Sequence, residues 1–260
     1  MPQQKKSGSQ TVARALNILT LMGESGEIGV RDIARKLKIA PSMAQRLINT
    51  LSESGFIEKS VESSRWKIGY KTFQIGSTFL TNVDLNAAAA PELRILAEEH
   101  QVNSFLGVLR DRSVVYLATL QSRAPITITT APGSITHLHS TALGKALLAP
   151  MSKNEASSLL GAQPYKLLTK KTRRTFSSLS KDLEEFHRLG YVVSDEENIE
   201  NVFAVGAPIR NSTGATIAAL SGAVPRQKLT AKTMAELGKL VKESADRASL
   251  RLGAPKAGSR

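Results

Sequence analysis

Apolar residues recur at helical spacing from Val12 to Met22 (Val12, Ala15, Leu16, Ile18, Leu19, Met22), and Gly23 and Gly26 then break the pattern, which predicts a first helix. In VRDIARKL, Val30, Ile33, Ala34 and Leu37 share one face and leave Arg31, Arg35 and Lys36 outside; this short amphipathic helix ends at the turn KIA. Pro41 fits the first position of a third helix, where a missing N–H costs nothing, and Met43, Leu47, Ile48 and Leu51 supply its apolar stripe up to Gly55. Two short strands, Phe56–Lys59 and Arg65–Ile68, flank a polar Glu/Ser turn, so a β-hairpin wing at Glu62–Arg65 follows three helices.

Another helical stretch runs from Tyr70 to about Val83 and leads into NAAAAPELRILAEEH, where a linker helix and a domain junction are expected. Beyond Ala87 the pattern changes. A helix to about Gln101 precedes NSFLGVLR, SVVYLATL and ITITT, which read as antiparallel strands. Helices at Thr141–Ala149, Lys153–Leu160 and Leu179–Leu189 interrupt the series, and YVVS, FAVGAPIR and TIAALSGAV add strands before a terminal helix from Thr230 to Leu252. Strand runs with intervening helices, without strict βαβ alternation, predict an α+β second domain. The expected organisation is a tail at 1–9, a winged helix-turn-helix DNA-binding domain at 10–69, a linker helix at 70–86, a sensory domain at 87–253 and a tail at 254–260.

The length of 260 residues suits two unequal domains, and 41% hydrophobic with 22% charged residues is ordinary globular usage. A formal charge of +13 favours a polyanionic partner, because each phosphate neutralised releases condensed counterions. That argument does not single out the first domain, because the first 80 residues hold 12 Lys/Arg against 6 Asp/Glu, a net of +6. With no Cys there is no disulfide, thiolate zinc site or thiol nucleophile, as suits a reducing compartment. No stretch approaches the ~20 apolar residues of a membrane span, so a cytoplasmic protein without a membrane partner is expected.

The second helix of a helix-turn-helix lies in the major groove. Here its polar positions are Ser42, Gln45, Arg46 and Asn49, and Gln, Arg and Asn can read adenine or guanine edges bidentately. Arg46 could instead hold a phosphate, Arg65 in the wing suits a phosphate or the minor groove, and Met43 and Arg14 complete the expected contact set. An isolated helix with these residues would simply be solvated. Its place after a tight turn and before a wing makes double-stranded operator DNA the expected partner.

Five segments (QTVARALNILTLM, RDIARKLKIAPSMAQRLINTLSESGFIE, WKIGYKTFQIGS, HLHSTALGKALLA, GYVVSDEENIENVFAVGAPIR) resemble, in order and spacing, the IclR family of bacterial regulators, and the likeness runs from about Gln10 to Gly253. The resemblance implies a winged helix, a dimerising linker helix and a GAF-like effector domain that binds a small organic molecule. It further implies a homodimer or dimer of dimers on a palindromic operator, as repressor or activator, with no cofactor. It places the effector at Ala142, Leu143, Gly144, Ser194, Val202, Ala204, Ser221 and Ala223. Ser140 or Thr141 can cap a helix whose first free N–H groups, near Ala142 and Leu143, attract a carboxylate.

The sequence departs from the family where small oxo-acids are held, by an acidic residue, a Cys and two Ser; these positions read Ser194, Ala204, Ser221 and Ala223. A less polar pocket and a bulkier effector than glyoxylate, such as an aromatic acid, are therefore expected. Asn201 stands where Gly is usual, and tolerates a left-handed backbone best among non-glycine residues. Ala40-Pro41 replaces Pro-Lys, which removes one phosphate contact.

Other chemistry is poorly supported. His137 and His139 would share a strand face, but His100 and His187 are remote and no metal site is expected. Gly144-Lys145-Ala146 lacks the upstream Gly of a phosphate-binding loop, and Ser178-Leu-Ser-Lys181 lacks the companion motifs of a serine hydrolase. The competing classes are a hydrolase fused to a DNA-binding domain and a nonspecific nucleic-acid-binding protein.

Overall fold

The computed structural model describes residues 9–80, 83–123 and 130–255. The tail bearing Lys5 and Lys6, the chain beyond residue 255, and ITITT up to Thr129 lie outside them. The chain divides into two compact units, Met1–Thr81 and Asn82–Arg260. The whole is α+β, with the sheet structure concentrated in the second unit.

In the first unit, helices α1 (Gln10–Ser25), α2 (Val30–Leu37) and α3 (Pro41–Glu53) are followed by strands β1 (Ile57–Lys59) and β2 (Trp66–Ile68) and helix α4 (Tyr70–Leu80). Ile18 and Met22 of α1, Ile33 and Ala34 of α2, and Ala44, Leu47, Ile48 and Leu51 of α3 bury together with Ile28 and Ile57. Contrary to the sequence expectation, Gly23 does not break α1. It has open space beside it, and the helix runs on to Gly26, whose φ of +68° ends it. On α3 Leu47, Ile48 and Leu51 are buried as the stripe predicts, Ala44 joins them, and Met43 is half-buried against the same core. The turn between α2 and α3 depends on Lys38, left-handed at φ 53°, whose amide returns to Ala34 and Arg35. β1 and β2 are antiparallel, and Ile28 bridges to Trp66, so the wing is tied to the segment before α2.

The second unit is built on a six-stranded antiparallel sheet in the order β5-β4-β3-β8-β7-β6. Its strands are β3 (Asn103–Arg110), β4 (Ser113–Leu120), β5 (Ile135–Thr136), β6 (Val192–Asp195), β7 (Val202–Arg210) and β8 (Thr216–Pro225). Both faces are covered. Leu106, Val108, Phe203, Val205, Ala218 and Leu220 pack with α5 (Val83–Arg94) and α9 (Ala231–Arg251). On the other face Phe105, Ala219 and Ala223 pack with α6 (Ala142–Leu148), α7 (Lys153–Leu160) and α8 (Phe176–Leu189).

Helix α5 passes into a π-helical turn, Ile95–Glu99, in place of continuing to Gln101. Glu92, fully buried, is neutralised by Arg247 and Arg251 at 2.7 Å each, which locks α5 to α9. Helix α6 lies so close to β7 that a Cβ on Gly206 would sit 2.2 Å from the Ala142 carbonyl oxygen. Glycine at that point lets the first turn of α6 rest on the sheet.

Candidate functional site

Helix α3 turns a polar ladder outward. Ser42, Gln45, Arg46 and Asn49 are all exposed, opposite the buried Ala44, Leu47, Ile48 and Leu51. The Gln45 side-chain amide donates to Asn49 Oδ1 at 2.8 Å, which fixes both head groups side by side. Ala40 provides no side-chain cap, so the first amides of α3 stay available to an anion. Arg14 and Met43 are brought together, with Arg14 Nη1 donating to the Met43 sulfur at 2.9 Å. Arg14 is thus engaged at the base of the ladder.

The wing residue Arg65 is exposed and held by Asp32 of α2 at 3.2 Å, and Asp32 also pairs with Arg35 at 2.8 Å. Exposed pairs of this kind contribute little, so a phosphate can displace the carboxylate. Val61 at the wing tip is 99% exposed, an apolar tip that the sequence reading did not single out.

The second unit contains a pocket against the α6 face of the sheet, with an empty volume of about 440 Å³ including its mouth. Ala142, Leu143, Ser194, Val202, Ala204, Ser221 and Ala223 line it, together with Phe105, Tyr116, Thr141, Asn198 and Ile199. Gly144 is not among the lining residues; its amide donates to the capping Thr141 hydroxyl at 3.0 Å.

The floor is two alanines deep, because Ala204 on β7 pairs directly with Ala223 on β8. Phe105 and Tyr116 form one wall as an edge-to-face pair with ring centroids 5.8 Å apart. The residue pattern marks β3 and β4 as strands but does not reveal the register that brings these two rings together. Burial pushes the Tyr116 phenol up, a shift that its hydrogen bond with the Thr136 side chain partly offsets. Ser194 donates to the Ser140 carbonyl at 2.7 Å and Thr141 to that of His137 at 2.7 Å. Among the described residues no charged side chain lines the pocket.

The remaining motifs have structural partners. His139 Nε2 donates to the Lys166 carbonyl at 3.0 Å and its ring stacks near Tyr165, while burial lowers the pKa of both His137 and His139. Both histidines follow β5 in a turn and do not lie on a strand, as the sequence had suggested. Ser178 sits in the first turn of α8, its hydroxyl donating to the Thr175 carbonyl at 2.9 Å. Among the described residues no helix is long and apolar enough to cross a membrane.

Residues 77–250 match the family model for the bacterial transcriptional regulator IclR C-terminal domain, and residues 11–60 match that for the IclR helix-turn-helix domain. The chain belongs to the IclR family. It is a transcription regulator with a helix-turn-helix and an effector-binding, GAF-like α+β domain. This IclR-family chain is 27% identical over 243 residues to the transcriptional regulator KdgR of Escherichia coli, covering 94% of this chain and 92% of that one. It is 28% identical over 251 residues to the E. coli transcriptional repressor AllR, covering 95% and 92%. The crystal structure of Thermotoga maritima IclR matches with a TM-score of 0.77 at 27% identity, over 94% of this chain and 98% of that chain. An IclR homologue from Microbacterium hydrocarbonoxydans, solved with 4-hydroxybenzoate, shares the fold with a TM-score of 0.80 at 21% identity, over 93% and 98%.

Proposed function

We propose that the chain binds a palindromic operator in the cytoplasm as a homodimer or dimer of dimers, reading bases through Gln45, Arg46 and Asn49. Ser42, Met43, Arg14 and Arg65 contribute at the edge of that contact. A small aromatic carboxylate in the second unit's pocket modulates the binding. The observation that carries the effector class is the pocket itself: uncharged, walled by Phe105 and Tyr116, and opened by Ala204 and Ala223 where bulkier or more polar side chains would fill it. The 4-hydroxybenzoate held by the Microbacterium homologue supports an aromatic acid of that size. Apolar side chains left exposed in the first unit, Val12 and Leu16 on α1 and Tyr70 and Phe73 on α4, support self-association.

Calorimetric titration with 4-hydroxybenzoate, benzoate, glyoxylate and pyruvate tests the effector class. Aromatic acids are expected to bind at least about tenfold more tightly than the two oxo-acids, a gap that one apolar wall can supply. Tight binding of an oxo-acid with none for either aromatic acid would overturn the assignment.

A further inference from the structure

Behind the pocket lies a knot of buried charge. Lys145 of α6 is fully buried, and its ammonium donates to Glu197 Oε1 at 2.6 Å, Asp182 Oδ2 at 2.8 Å and the Val193 carbonyl at 3.0 Å. All three of its protons are thereby used. Arg173 reinforces Asp182 at 2.9 Å. Burial raises the Asp182 pKa, but Arg173 and Lys145 outweigh it and hold that carboxyl low. Burial pushes the Glu197 carboxyl up against the pull of Lys145, and its second oxygen has no hydrogen-bond partner. Such a group stays buried and charged only while its cation is in place.

The sequence neighbours of these groups are pocket residues. Lys145 is one turn along α6 from Ala142 and Leu143, Val193 precedes Ser194, and Glu197 precedes Asn198 and Ile199. One ammonium therefore gathers three separate stretches of backbone that together supply five lining side chains. Other groups tie the two ends of the loop after β6: at its start Thr169 and Thr172 hydroxyls donate to the Glu196 and Glu197 carbonyls at 2.6 and 2.7 Å and Lys171 pairs with Glu196, and at its end the Asn201 amide donates to Glu196 Oε1 at 3.0 Å while the Asn201 carbonyl accepts from the Arg226 amide at 2.8 Å. Between these ties, the Ser140 hydroxyl reaches Asn198 Oδ1 at 3.0 Å, again from the α6 side.

We propose that Lys145 and Glu197 are positioning residues of the effector pocket, holding the α6 wall and the 197–199 wall at the spacing the ligand requires. The proposal rests on the effector reading above, but its test does not. Amide hydrogen exchange of the full-length, ligand-free protein, followed by mass spectrometry, is compared for wild type, Lys145→Met, Glu197→Gln and the double variant.

In Lys145→Met, which strands the Glu197 charge, exchange in the segment 196–201 is expected to rise about tenfold while β3, β7 and β8 stay within about twofold. Glu197→Gln leaves Lys145 with Asp182 and should show a smaller rise. Adding it to Lys145→Met removes the stranded charge and should bring the loop back to within about threefold of wild type. A rise spread evenly over the sheet, unchanged exchange at 196–201, or strictly additive effects would overturn the proposal. If Lys145→Met does not fold alone, folding of the double variant with exchange in 196–201 within the same threefold counts for the proposal, and failure of both counts against it.

A second arm separates the two readings. Lys145→Met should weaken 4-hydroxybenzoate binding about tenfold, with ligand-free operator affinity kept within about twofold. Failure of wild type to bind 4-hydroxybenzoate or any other aromatic acid would defeat the effector reading and leave the exchange result to decide the positioning role.

Discussion

Alanine at both Arg46 and Asn49 is expected to weaken operator binding by about two orders of magnitude, with the fold and effector affinity preserved. Each bidentate base contact is worth roughly 1–3 kcal/mol, and two such contacts on adjacent turns of α3 add when they read different base pairs. The fold should survive, because both side chains are exposed and the burying residues of α3 are untouched. Alanine also favours the helix. Removing Asn49 further frees the Gln45 amide from its 2.8 Å partner, so Gln45 loses the orientation that reading adenine needs. Fluorescence anisotropy with a duplex from the gene's own upstream region measures the loss. Unchanged affinity would show that α3 is not the reading helix.

Ala223→Phe should abolish effector binding, lowering affinity for the bound acid by more than about a hundredfold. Ala223 is buried on β8 and faces Ala204 across the ladder, so a phenyl ring projecting from it occupies the space the ligand would fill. Overpacking costs stability of about 1–3 kcal/mol, which the partly open pocket reduces by giving the ring somewhere to go. The variant should still bind operator DNA but no longer respond to the effector. Calorimetry beside anisotropy separates these two outcomes, and undiminished ligand affinity would place the effector elsewhere.

The helices of the first unit were legible because each has one buried face, as Ile33 and Ala34 do on α2. Gly23 was misread because a glycine on an open helix side costs stability without changing the path. The left-handed backbone expected at Asn201 is present, at φ 62°. The long strands were readable to within a residue or two, since β3 and β8 are covered on both faces and appear as continuous apolar runs. The pocket floor at Ala204 and Ala223 followed from the family likeness, but Phe105, Tyr116, Asn198 and Ile199 did not. Strand register brings the first two together, and a loop held by a distant buried pair delivers the others. The role of Lys145 is not legible in sequence, because nothing local to Gly144-Lys145-Ala146 signals two carboxylates 37 and 52 residues away.

Sequence-specific DNA binding is the property on which regulation by this chain depends. Competition of the upstream duplex against random duplex of equal length, at one fixed salt concentration, measures it. The predicted result is a preference of about 10³ or more that falls when a binding aromatic acid is added. A preference below about tenfold, with or without the acid, would contradict it and leave only charge-driven binding to nucleic acid.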